Sequence, residues 1–380
     1  MIERIDVSVI FPGRQGGITW FHPRACMVPA TPQPIAFMTQ QPIFGSDVYG
    51  PVHWTESADG GATWSEPQPI PGFGRRTLPN GLEEGVCDVV PTYHPQTGTI
   101  LAIGHNVYYR DNVLARPNEA RFPVYAVRDA QGRWTPERRQ LAWEDPRATA
   151  IYTCGCAQRV TLPNGDLIIP ISLGPHGRDD RAVGSLLCSF DGDRLTVHMF
   201  GNELRLSVGR GLLEPSIIRL DEQFYMTIRA ENGQGFVSTS EDGLHWRTMQ
   251  PWMWDDGEPL AMSTTQQHWL AHSDGLYLVY TRRAAENVNV FRWRAPLYLA
   301  QVDRRTLRLI RATERVAIPM AGDGVRNAAH VARMGNFHVT NVSPHESWIT
   351  VGETLPADGW RGNTLLARVC WAVPNRLPLW

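Results

Sequence analysis

The 380-residue chain contains no run of about 18 apolar residues, so a transmembrane helix is not expected. It has no excess of one charge either. Lys and Arg number 36 against 38 Asp and Glu, the formal net charge is −2, and no long run of one sign occurs. That balance argues against nucleic acid or a membrane surface as the main ligand. The opening MIERIDVSVIFPG carries charges but no apolar h-region, so a cytoplasmic chain is expected. Cysteines are few and scattered: Cys26, Cys87, Cys154, Cys156, Cys188 and Cys370 lie in apolar, strand-like contexts. They read as buried free thiols. Cys154 and Cys156 are too close for a usual zinc pair, and no second pair follows. There is no HExxH, no phosphate-binding glycine loop, no GxGxxG and no serine on a nucleophile elbow. No cofactor and no metal are therefore expected. Long amphipathic helical patterns are missing, and no Pro/Ser-rich or charged linker interrupts the chain, which predicts one domain over 1–380.

What is abundant is turns. The chain has 34 Gly and 29 Pro, and the segments between them read as short strands: PIAFMT, TILAIGH, PVYAVRD, DLIIPISL, QFYMTIRA, GLYLVYTRR, SWITVGE. One turn recurs. Ser57-Ala-Asp59-Gly-Gly-Ala-Thr63-Trp64 has a carboxylate that can bond backbone groups two residues on, glycines for positive φ, and an indole to cover the hairpin end. Ser240-Glu-Asp242-Gly243-Leu-His-Trp246 repeats it one residue shorter; Asp129, Asp191 and Asp303 head progressively worn copies. These aspartates are spaced about 61 residues apart on average. Four short strands per unit, repeated about six times, predict an all-β fold, a six-bladed β-propeller of four-stranded blades. The last unit, from Gly335 to Trp371, supplies only three good strands, so the N-terminal IDVSVIF is expected to complete that blade and close the ring. The 14 tryptophans fit either core packing or sugar stacking.

The turns resemble the Asp-boxes (S-x-D-x-G-x-T-W) of the sialidase superfamily, and the phrase E-P-S…Y-M-T-I-R-A, Glu214 to Ala230, resembles the sialidase segment that carries a glutamate and an arginine. The resemblance implies a top-centre site built from strand ends. It implies a first arginine at Arg24, an acid/base aspartate at Asp47, a glutamate at Glu214, a second arginine at Arg229 and a third at Arg282 or Arg283. Sialidases also use a tyrosine nucleophile about sixteen residues before a glutamate. Counting back from Glu353 gives Phe337, and GNFHVTNVS has no tyrosine, which puts the covalent tyrosyl route in doubt.

Arginines converging on one pocket suit an anion, because a guanidinium grips a carboxylate through two parallel hydrogen bonds. The expected partner is a carbohydrate with a carboxylate: sialic, another ulosonic, or uronic acid. Arg292 and Arg294 could replace or supplement Arg282. Asp47 could serve as general acid. Glu214 could activate a nucleophile or pin an arginine. Asp88, a charge within the apolar GVCDVVP, is costly unless paired and is expected to face the pocket. His338 or Tyr49 could act as base, and His22, His105 and His268 lie near strand ends. Three functions remain open: an exo-acting glycoside hydrolase, a polysaccharide lyase on uronates whose arginines steady an enolate-like intermediate, and a non-catalytic carbohydrate-binding propeller.

Overall fold

The structure, a computed structural model, describes residues 1–115, 121–147, 150–174 and 180–380. Its strands pair antiparallel into six small sheets arranged as the blades of a propeller. Blade one is Trp20–Val28, Ile35–Gly45, His53–Ser57 and Gln68–Pro69, from axis to rim. Blade two is Glu83–His94, Thr99–Arg110, Pro123–Arg128 and Arg139–Gln140. Blade three opens with Ala150–Thr153 and Val160–Thr161 against Leu167–Gly174, then adds Ala182–Phe190 and Leu195–Phe200. Blade four is Leu213–Leu220, Gln223–Arg229, Gly235–Ser240 and Gln250–Pro251. Blade five is His268–His272, Gly275–Tyr280 and Leu297–Asp303, edged by Arg308–Leu309 and Arg315–Ile318.

Blade six is His338–Ser343, Glu346–Thr354 and Thr364–Trp371, and its outer strand is Ile2–Phe11. The register runs from Ile2 opposite Trp371 to Phe11 opposite Thr364. The N-terminal strand thus closes the ring as the strand count required. Among the described residues no helix is long and apolar enough to cross a membrane.

The core lies between blades. Each strand sends alternate side chains to its two faces, and the apolar sets of neighbouring blades meet. Most tryptophans go here: Trp252, Trp269 and Trp348 are fully buried. Such a side chain contributes about 3–5 kcal/mol relative to alanine. All six cysteines are free and buried.

The recurring turn occupies one place in blades one to five, between the third and fourth strands. Asp59 accepts from the backbone N–H of Ala62 (3.1 Å) and Thr63 (2.9 Å) and from the hydroxyls of Thr63 (2.6 Å) and Ser57 (2.8 Å). Asp242 accepts from the N–H of Leu244 and His245, both at 2.8 Å. Asp129, Asp191 and Asp303 do the same with fewer partners. Since strands alternate in direction, these turns face one side of the ring. The starts of the inner strands and the ends of the second strands face the other, and there the polar residues gather.

Candidate active site

Three inner strands break their register in the same way. In blade one Phe21 pairs with Gln41 and Arg24 with Thr39, so His22 and Pro23 bulge opposite Gln40. In blade two Cys87 pairs with His105 and Val90 with Ile103, so Asp88 and Val89 bulge opposite Gly104. In blade four Leu213 pairs with Arg229 and Ser216 with Thr227, so Glu214 and Pro215 bulge opposite Ile228. Each bulge opens with a left-handed residue: His22 at φ 52°, Asp88 at 57°, Glu214 at 43°. A non-glycine residue there costs about 1–2 kcal/mol. The bulge re-aims one side chain that the strict alternation of a strand would send elsewhere. Proline follows in two of the three, as suits a position withdrawn from the ladder. Glycine is required around the Asp88 bulge: a Cβ on Gly155 would stand 2.3 Å from the Asp88 carbonyl oxygen.

Arg24 is fully buried and its Nη2 donates to Asp88 Oδ1. The same oxygen accepts from Asn336 Nδ2 at 3.1 Å and lies 3.4 Å from His22 Nδ1. Burial works to raise the Asp88 carboxyl, but His22, Arg24, His105 and the Asn336 amide outweigh it and hold the group ionised, well below the usual carboxylate range. His22 packs against Tyr49 with ring centroids 4.8 Å apart and planes tilted by 47°, and burial pushes the imidazole down to about 3. Tyr49 donates to Asp47 Oδ1 at 3.2 Å. Burial and the Asp47 charge push the phenol well above its ordinary value, so it is a donor at neutral pH. Asp47 itself is exposed on a left-handed turn.

Glu214 accepts from Arg229 Nη1 at 2.8 Å, and Arg229 Nε reaches Thr264 Oγ1 at 3.3 Å. Arg294 completes the group. Burial, then the charges of Arg229 and Arg292, depress its proton affinity, while Glu214 and Asp47 oppose them. Its Nε is buried without a partner. Arg292 joins from a left-handed position in the same loop and feels Arg229, Asp47 and Glu214.

The other expected residues fall elsewhere. Arg282 is gripped by Glu314 at 2.7 and 2.6 Å, and its guanidinium lies 4.4 Å over Tyr298, all within blade five. Arg283 is exposed and stacks 4.1 Å over Trp293. The structure therefore gathers Arg294 and Arg292 with Arg229, and leaves Arg282 as a brace and Arg283 on the rim. His268 and His338 are buried side by side on the axis, 5.6 Å apart. Burial and neighbouring Arg24 lower His268 to about 3; burial, His268, Arg24 and Arg159 lower His338 well below its ordinary value. Phe337 is buried in the apolar cluster between blades five and six, while Asn336 beside it reaches into the site. Glu353 pairs with Arg14 at 2.9 Å, not with a site arginine.

Sequence reasoning missed Asn336, and it missed the bulges, whose one visible signal was proline directly after His22 and Glu214. Cys87 Sγ, Asp88 Oδ2 and His105 Nε2 come within 4.8 Å of one another, a donor set that could hold a metal. Arg24 and Arg121 act on these same groups, and two positive charges oppose a cation there.

No protein-family model matches the sequence, and no curated protein matches it. Solved structures do resemble the fold. The Hadza microbial sialidase Hz136 superposes over 95% of this chain and 68% of its own, with TM-score 0.68 and 15% identity. Trypanosoma rangeli sialidase, solved with sialic acid, superposes over 97% of this chain and 58% of its own, with TM-score 0.60 and 14% identity. An α-L-arabinanase of Penicillium chrysogenum, solved with arabinobiose, covers 95% and 97%, with TM-score 0.54 and 12% identity. Neighbours of this kind are glycoside hydrolases that bind sugars at low identity to this chain. The fold is that of a sialidase-like six-bladed β-propeller.

Proposed function

We propose that the protein is an exo-acting glycoside hydrolase that removes a terminal acidic sugar, sialic, ulosonic or uronic, and that Arg229, Arg292 and Arg294 hold its carboxylate. The observation that carries this reading is the surplus of positive charge: three guanidiniums share a pocket in which Glu214 engages only one, and Arg294 Nε is left buried without a partner. Arg24, held through Asp88, sets the inner wall, with His268 and His338 on the axis beneath it. Arg283 contributes at the rim and Arg282 through its neighbours.

Asp47, exposed and bonded to Tyr49, is the general acid that protonates the leaving oxygen. Glu214 is the base that takes a proton from water as the water attacks the anomeric carbon on the opposite face. Phe337 offers no oxygen for a covalent sugar intermediate, so single displacement with inversion is the expected course. Tyr49 against His22 favours a second reading, proton abstraction and elimination on a uronate.

Proton NMR of the protein with an aryl α-sialoside and, in parallel, with uronate oligosaccharides tests both. Free sugar with the inverted anomer appearing first supports the hydrolase. An unsaturated uronate supports the lyase. No product in any tube, with binding retained, makes the propeller a carbohydrate-binding protein.

A further inference from the structure

The hairpin that carries Asp47 has a second face. Ile43 pairs with Tyr49 and Gly45 with Val48, so Ser46 and Asp47 form the tip and Phe44 is the extra residue of a bulge. Tyr49 turns inward, with its ring against His22 and its hydroxyl on Asp47. Phe44 is turned out to solvent and is 58% exposed. Beside it an open cleft of about 550 Å³ lies between blades one and two. Phe44, Gly50 and Pro51 line one side; Gly74, Arg75 and Asn112 line the other. Asn112 sits in the turn after the second strand of blade two, so the cleft opens on the same face as the site. Val113 next to it and Phe44 are the two most exposed large apolar side chains among the described residues.

Phe44 and Gly50 each lie three residues from Asp47, so the Cα of neither stands more than about 11 Å from that of Asp47. On its other side the Asp47 carboxylate acts on Arg292 and Arg294, so it borders both the arginine pocket and the cleft. The volume is that of a small-molecule site. Its one charged lining residue is fully engaged. Arg75 donates Nε and Nη2 to Tyr49 O at 3.1 and 2.7 Å, and Nη1 to Asn112 Oδ1 at 2.8 Å and Glu83 at 3.4 Å. Its guanidinium lies 3.9 Å over the Tyr109 ring. Arg294, by contrast, keeps a buried Nε without a partner. The cleft therefore offers an aromatic face and the amide N–H groups of Asn112, whose oxygen Arg75 holds, but no uncommitted charge. That is chemistry for a neutral sugar, whose C–H face packs on an aromatic ring while a hydroxyl accepts from an amide. We propose that this cleft binds a neutral pyranose and, on the reading of Asp47 as general acid, seats the sugar to which the terminal acidic residue is joined. When the C–O bond to the acidic sugar breaks, the neutral sugar leaves with that oxygen and the Asp47 proton. The substrate is then selected on both sides of the bond.

Saturation-transfer NMR of the full chain with lactose, cellobiose and maltose tests the cleft without any need for turnover, since none of the three carries a carboxylate. At least one should bind, with Kd on the order of 1 mM. Phe44→Ala should weaken it about ten-fold. Gly74→Phe should block it, because a Cβ at Gly74 meets nothing within 4 Å and its side chain enters the open cleft. Both positions are at the surface, and a Tm equal to that of the parent chain checks that both variants fold. Binding by none of the three sugars, or binding that either variant leaves unchanged, would overturn the proposal. So would binding that is lost only in Arg294→Met, because the sugar would then sit among the arginines. Release of acidic sugar is scored separately. Disaccharide binding at the cleft with no such release would overturn the hydrolase and not the neutral-sugar site.

Discussion

Asp59 and Asp88 are both carboxylates at backbone turns with left-handed residues, and they do opposite work. Asp59 is exposed and satisfied by its own turn, with every partner within four residues. The Thr63 hydroxyl and N–H and the Ser57 hydroxyl bring it down to about 2. Asp88 is buried and draws its partners from other blades: Arg24 lies 64 residues away and Asn336 lies 248. A turn that satisfies itself can recur in five blades and wear down in some without consequence for the rest. A bulge satisfied across blades exists only where the ring has closed. The same side chain therefore punctuates the chain on one face of the propeller and builds a pocket on the other.

The comparison breaks most visibly through stability. Asp88→Ala leaves the fully buried Arg24 without its counter-charge, and a loss of about 3–5 kcal/mol is expected. Asp242→Ala, in the best-formed turn after Asp59, removes hydrogen bonds at the surface and should cost much less. Urea unfolding of the two variants measures the gap; equal losses would mean the two faces are not different in kind. Arg294→Met sharpens the functional side. With the acidic sugar the NMR assay identifies, binding should weaken about ten- to a hundred-fold, as for a lost charged hydrogen bond of about 1.5–3 kcal/mol. A titration that finds unchanged affinity would remove Arg294 from the anion grip.

The most gradual effect separates the two faces by pH. His22, His105 and His268 are lowered by burial to about 3, 4 and 3. They stay neutral in the fold while the unfolded chain takes up protons below about 6.5. Stability should fall with pH from there to about 4, by up to about 1.4 kcal/mol per pH unit for each histidine. Asp59 works in the other range. Its folded value is depressed, so its contribution is present above about 4 and lost as pH falls through about 2. Unfolding free energies measured from pH 7 to pH 3 should therefore decline before the turns begin to protonate, and His268→Asn should flatten the upper part of the curve.

The fold was legible because its signals are local. A serine, an aspartate and a glycine make a turn by themselves, and strand segments show in their apolar and aromatic runs. Glu214 and Arg229 were legible for the same reason, being placed by a continuous phrase of sequence. The bulges were not, since a bulge is a property of register between two strands and His22-Pro23 does not reveal that Gln40 stands opposite. The third arginine was legible only as a set of alternatives, Arg282 or Arg283 with Arg292 and Arg294 to replace or supplement them. Strand ends suggested Arg282, but Glu314, 32 residues on, pairs with it, while Arg294, from a loop turned by left-handed Arg292, feels the charge of Arg229. Asn336 gave no signal at all: one asparagine before an apolar strand has no pattern, and its role appears only when Asp88 arrives from the second blade.

The seam that closes the ring has a mechanical meaning. Ile2 lies opposite Trp371, so the outer ends of the two joining strands sit at the same end of their ladder. A pull on those two ends would load the hydrogen bonds one after another, as a zipper is drawn, and not all together in shear. The propeller is then a hoop with a directional clasp. It holds along the whole ladder against load spread over all of its hydrogen bonds, yet yields to tension applied at that one end.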